Sequence, residues 1–144
     1  MVEFYHGLNT IDKSRGKSSV KRKEAVSNSI TAMRKLALNS DWNYTNKLEL
    51  LKAEQQSLRG NHHNATKLYD ASIESARKSG LIHEQGLACE KAGFHHVIVS
   101  NNEKALEYFK QARECYEEWG SKMKVDLMQK KIDGLSARIL CEAG

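Results

Sequence analysis

Apolar residues in this chain step by three and four, the spacing that lines one face of an α-helix. Val26, Ile30, Met33 and Ala37 form such a stripe, in a helix capped by Ser18 or Ser19 and stopped by Asn39-Ser40-Asp41. A short helix over residues 3–12 precedes it and ends in the polar, glycine-containing loop Lys13–Ser18. The next helix covers about Tyr44–Arg59, with Leu48, Leu51, Gln55 and Leu58 on one face and Leu50 widening it. Gly60 follows its end, where a left-handed residue closes the last turn. A helix from Asn61 or His62 to Ser79 carries Ala65, Tyr69, Ser72 or Ile73, and Ala76, and Gly80 ends it. Then come Glu84–Val99, with Leu87, Ala88, Ala92 and His96, and a helix from Asn101 or Asn102 to Trp119. The latter's stripe is Ala105, Phe109, Ala112, Tyr116 and Trp119, and Gly120 stops it. A last helix, about Ser121–Leu140, aligns Val125, Met128, Ile132, Leu135 and Ile139. Gly134 weakens it by about 1 kcal/mol relative to alanine. Proline is absent, which favours long uninterrupted helices. The fold class is therefore all-α, with about five to six helices.

The pattern also recurs. Asn61 and Asn101, Ala65 and Ala105, Tyr69 and Phe109, and Gly80 and Gly120 are each 40 positions apart. A helix–turn–helix unit occurring at least twice predicts a helical-hairpin array, an α-α superhelix. The expected organisation is an N-terminal lead-in with a basic loop over 1–42, then helix pairs over 43–80 and 84–120 with a C-terminal helix, together 43–144. Small residues (Ala65, Ala92, Gly93, Ala105, Ala112) fall where helices must approach closely. Large ones (Tyr69, Phe94, Phe109, Tyr116) fall where they can fill the groove between neighbours.

Charge adds one asymmetry. Of the net +5, all lies in residues 1–40, where eight Lys and Arg face three acidic residues. Lys13, Arg15, Lys17, Lys21, Arg22 and Lys23 could form a nucleic-acid or acidic-lipid patch. Without interleaved aromatics, a solvated basic loop is the stronger reading. Cys89, Cys115 and Cys141 form no close pair, which suits a reducing compartment. No signal peptide is expected, since Glu3 follows Met1 without a long apolar core, and no apolar run approaches the ~20 residues a membrane span needs, so the expected location is cytoplasmic.

Catalytic motifs fare poorly. Gly16-Lys17-Ser18 resembles the end of a phosphate-binding loop, but Ile11 stands where that motif requires glycine. His62-His63 and His95-His96 are adjacent pairs, and neighbours on a helix point about 100° apart, too far to chelate one metal. Cys89 and Cys115 read as small packing residues rather than nucleophiles. The sequons Asn43-Tyr44-Thr45 and Asn64-Ala65-Thr66 carry nothing without secretion. Trp119 is either an exposed partner anchor or the continuation of its stripe, sealing the last helix pair; the stripe favours packing. No cofactor, no metal site and no catalysis are expected.

The second unit resembles a tetratricopeptide repeat. Ala92-Gly93 matches the pair in its first helix, and Ala105, Phe109 and Ala112 match the signature of its second. The first unit matches more loosely through Ala53, Gly60, Ala65 and Tyr69. The 40-residue period exceeds the usual ~34, and Gly80 and Gly120 replace the closing proline. A narrower similarity runs from Leu48 through Gly60, Ala65, Leu68-Tyr69-Asp70, Gly80, Glu84, Leu87-Ala88, Glu90 and Ala92-Gly93 to Tyr116, Trp119-Gly120, Lys122 and Lys124-Val125, with Phe4-Tyr5-His6-Gly7-Leu8 as lead-in. This is similar to the helical region of large multidomain AAA-type ATPase and hybrid histidine kinase signalling proteins. The resemblance implies a fragment or relic of such a polypeptide, a non-catalytic protein–protein interaction scaffold whose partners are peptides, proteins or neighbouring domains.

The polar residues Glu49, Lys52, Gln56, Glu90, Lys91 and His95 on the first helix of each unit would then line the partner groove. The apolar Val2, Phe4, Tyr5 and Leu8 group predicts a truncated array or a homodimer through open array ends. The alternative function is a nucleic-acid-binding helical protein using the basic N-terminal segment.

Overall fold

The computed structural model describes Leu8, residues 20–39 and residues 41–143. The expected helix over 3–12, the basic loop and the Ser18 or Ser19 cap lie outside the described residues, Leu8 excepted, which is buried. The described residues form six helices and no strand: α1 (Val20–Asn39), α2 (Asp41–Leu58), α3 (His62–Lys78), α4 (Ile82–Ile98), α5 (Asn102–Trp119) and α6 (Lys122–Ala143). None is long and apolar enough to cross a membrane. Contacts divide the chain into two compact units that part between Ser75 and Ala76.

The turns share one device. Gly60, Gly80 and Gly120 adopt φ of +79°, +69° and +93°, and Ser100 adopts +62°. In each case the next residue's N–H reaches back five residues: Asn61 to Gln56 O, Leu81 to Ala76 O, Asn101 to His96 O and Ser121 to Tyr116 O, at 2.8–3.0 Å. These bonds satisfy the orphan carbonyls of a helix end. They recur every 20 residues, half the period read from the sequence. Ser100 takes the place where spacing calls for glycine, and bears the strain a side chain meets there. Two of the following helices are capped by a side chain: Asn101 Oδ1 accepts from Lys104 N–H at 3.2 Å, and Ser121 Oγ from Lys124 N–H at 3.3 Å.

In the first unit α1 packs on α2, with Gln55 Nε2 donating to Ser27 Oγ at 3.3 Å. Val26, Ile30 and Met33 are buried as their stripe predicts. The buried face of α2 is rotated from the expected one. Leu51 is fully buried, but Leu48, Gln55 and Leu58 are only half-buried, while Leu50, Ala53 and Glu54 are enclosed. The cause is polar. Tyr69 Oη donates to Glu54 Oε1, and Ser72 Oγ donates to the Asn46 carbonyl at 2.6 Å, so α3 draws a polar flank of α2 inward. Ser72, not Ile73, therefore occupies the α3 stripe beside Ala65, Tyr69 and Ala76. The pairings run antiparallel.

In the second unit α4 and α5 pack antiparallel, and α5 and α6 do likewise. Ala92 and Gly93 of α4 and Ala105, Phe109 and Ala112 of α5 are buried. A Cβ added at Gly93 would lie 2.7 Å from the Phe109 ring, so glycine sets the helix spacing there. Gly134 interrupts nothing, because α6 continues through it to Ala143. The expectation that Trp119 seals the last helix pair is corrected. Trp119 is 50% exposed, because α5 ends there and the left-handed Gly120 turns the chain away. Its ring stacks on His83 at 4.3 Å instead.

Hairpins α2–α3 and α4–α5 pair the same positions with different chemistry. Glu54 and Tyr69 meet in the first; Phe94 and Phe109, each 40 positions on, meet edge-to-face at 5.3 Å in the second.

Candidate functional site

The six residues expected to line a groove divide between the units, three in each. In the first, Glu49 is half-buried and accepts from Ser75 Oγ with both carboxylate oxygens at 3.2 Å. Burial raises its pKa above the ordinary carboxylate value, against the lowering influence of Ser75 and Lys52. Gln56 Oε1 accepts from Asn61 Nδ2 at 2.8 Å and braces the turn. Lys52 is half-buried.

In the second unit two of the three are interior, which corrects their placement on an open polar face. His95 is fully buried and packs edge-on against His96, which stacks on Tyr108 at 5.2 Å. Glu90 is buried at the junction of three helices. Its Oε1 accepts from Tyr116 Oη of α5 at 3.0 Å and from Lys124 Nζ of α6 at 3.3 Å. Lys124 also lies 5.4 Å over the Tyr116 ring. Burial, with the Glu90 carboxylate beside it, pushes the Tyr116 hydroxyl well above the usual tyrosine range. A carboxylate so engaged is a structural clasp. Lys91 is half-buried.

The strongest candidate site lies elsewhere in this unit. An open groove of about 210 Å³ runs between α4 and α6. Phe94, Val97, Phe109 and Leu135 supply its apolar floor. Lys130, Lys131 and Arg138, all exposed, supply its rim, with Gly134 between them. Lys131 Nζ sits 5.1 Å over the Phe94 ring. No carboxylate pairs with these three cations among the described residues. A Cβ at Gly134 would meet nothing within 4 Å, so glycine there leaves the groove open rather than admitting a neighbour. The signal was present in the sequence: Lys130, Gly134 and Arg138 step by four along one face of α6.

Such a groove suits an acidic segment carrying an apolar side chain. Larger hollows differ, among them one of about 270 Å³ at the α5–α6 turn with Lys122 as its single cation. One of about 580 Å³ beside the α4–α5 turn includes Glu103 and Glu142 and lacks a cation, and one of about 410 Å³ borders Cys115. Among the described residues no three His, Cys, Asp or Glu side chains converge as metal ligands do. Compared with protein-family models, curated proteins and solved structures, the chain matches none.

Proposed function

We propose that this chain is a non-catalytic protein-binding module, built from tetratricopeptide-like hairpins, that holds an acidic peptide segment. The observation that carries the reading is the α4–α6 groove, where three cations with no carboxylate partner among the described residues border a floor of two phenylalanines, Val97 and Leu135. Cationic rims steer and orient an acidic partner, while the apolar floor supplies contact area. The sequence resemblance to the helical segment of signalling ATPase and histidine kinase polypeptides supports a neighbouring domain as the natural partner.

Fluorescence anisotropy with a labelled peptide of alternating Glu and Leu, against its Lys counterpart, tests it. The acidic peptide binds, and the Lys131→Glu/Arg138→Glu variant weakens it at least about tenfold, the loss of roughly 1.4 kcal/mol of interaction. Equal binding of both peptides, or an unaffected variant, refutes the reading. A labelled RNA duplex that binds with steep salt dependence would instead favour the nucleic-acid reading.

A further inference from the structure

The facing thiols of α4 and α5 have no part in the groove. Cys89 and Cys115 are both buried, and their thiols lie close enough across the helix interface to influence each other's protonation. The helices run close at this level: a Cβ built at Gly86, one turn before Cys89 on the same face, would lie 3.1 Å from Cys115 Cβ. The register also brings these positions together in the first hairpin, where Glu49 and Ser75, 40 residues earlier, are hydrogen-bonded. Cys89 Sγ further reaches Gln111 Oε1 at 3.9 Å.

Access differs between the two sulfurs. Cys115 borders the open 410 Å³ hollow, with Gln85, Glu114 and Glu118 around it, while Cys89 is fully enclosed. The neighbouring Cys89 thiol draws the Cys115 thiol below its ordinary range, outweighing burial and the nearby Glu118 and Glu114 carboxylates.

We propose that Cys115 and Cys89 are an oxidation site, forming an α4–α5 disulfide when a small hydroperoxide enters the hollow beside Cys115. The Cys115 thiolate attacks the distal peroxide oxygen. The O–O bond breaks, the alcohol (or water, from hydrogen peroxide) leaves with one proton, and Cys115 becomes a sulfenic acid. The Cys89 sulfur then attacks that sulfur, the S–O bond breaks, and the hydroxyl departs with the Cys89 proton as water. Two thiols lose two electrons and the peroxide gains them. The bond staples the hairpin, and glutathione- or thioredoxin-type thiols reverse it, as expected of a redox-sensing pair in a reducing compartment.

The test uses the full chain with Cys141→Ser, which removes the exposed thiol. After treatment with hydrogen peroxide, the protein is denatured, alkylated with N-ethylmaleimide and mapped by mass spectrometry. The expected product has lost two hydrogen atoms and two alkylation sites, shows a Cys89–Cys115 cross-linked peptide, and reverts with dithiothreitol. In Cys89→Ser, Cys115 stops as a dimedone-reactive sulfenic acid; in Cys115→Ser, Cys89 stays reduced. Circular dichroism verifies that each variant is folded, with Cys89→Ala and Cys115→Ala as replacements for one that is not. Both thiols remaining alkylatable after peroxide, or Cys115 advancing to a sulfinic acid with Cys89 present, overturns the proposal.

Discussion

Tyr116→Phe removes one oxygen from the clasp that joins three helices, and its cost follows from the geometry. The Tyr116 hydroxyl is enclosed and donates to Glu90 at 3.0 Å, while Glu90 keeps Lys124 at 3.3 Å. A hydrogen bond to a charged group contributes about 1.5–3 kcal/mol, and the retained lysine places the loss at the lower end, about 2 kcal/mol. The same bond makes that loss depend on pH. Folded Tyr116 holds its proton far above the unfolded value. Above pH 10 the unfolded chain therefore binds fewer protons than the folded one, and stability falls as pH rises. One such group removes about 1.4 kcal/mol between neutral pH and pH 11. The variant has no such group, so its deficit shrinks from about 2 kcal/mol at pH 8 to roughly 0.6 kcal/mol at pH 11. Urea unfolding in a Trp42→Phe background measures it, since emission then comes from Trp119, stacked on His83 in the same unit. A deficit under about 0.5 kcal/mol at pH 8, or one unchanged by pH 11, would mean that Tyr116 and Glu90 are not bonded as described.

Four further perturbations test other parts of the fold. Gly93→Ala pushes a methyl to 2.7 Å from the Phe109 ring and should destabilise by about 1–2 kcal/mol in urea titration, whereas Gly134→Ala, with open space around it, should stabilise by about 1 kcal/mol. Ser100→Gly relieves a positive φ at a turn that lacks glycine and should raise stability by roughly 0.5–1 kcal/mol, read from the urea midpoint. Glu49→Gln removes a carboxylate whose ionised form is disfavoured by burial. Because the folded pKa is raised, wild-type stability falls relative to the variant as pH climbs from about 4.5 toward neutrality. Paired thermal melts at pH 4 and pH 7 read the variant's Tm minus the wild type's, which should rise between the two, and a difference that falls refutes it.

How far the sequence shows this fold depends on what each helix buries. The buried faces of α5 and α1 are largely apolar, Ser29 excepted, so period alone finds Ala105, Phe109, Ala112 and Tyr116, and Val26, Ile30 and Met33. On α2 the period misleads, because Glu54 and Asn46 are drawn inward by Tyr69 and Ser72, partners 15 and 26 residues away. Hydrophobic pattern carries no record of such long-range satisfaction. Trp119 keeps the period yet is uncovered, since a stripe says nothing of where the neighbouring helix departs. The groove was missed for a related reason. Gly134 reads as a defect in α6 when its helix is taken alone, and as an opening only once α4 lies opposite. Glu90 and His95 were misplaced because a charged or imidazole side chain reads as surface until its enclosure is known.

The turns of this chain recur every 20 residues with nearly interchangeable backbones, which creates a hazard of its own. A hairpin of one unit could pair with the complementary helix of the other at a 40-residue slip. The side chains penalise that exchange. Pairing α2 with α5 would set the Glu54 carboxyl against the Phe109 ring, with no donor for it; pairing α4 with α3 would set the Tyr69 hydroxyl against Phe94, with no acceptor. Each mismatch buries an unsatisfied polar group, at about 1–3 kcal/mol apiece. Likewise Glu49 facing Cys115 and Cys89 facing Ser75 would undo both native contacts. Polar pairing in the first hairpin, against aromatic and thiol pairing in the second, thus selects the native register where backbone and turn geometry cannot.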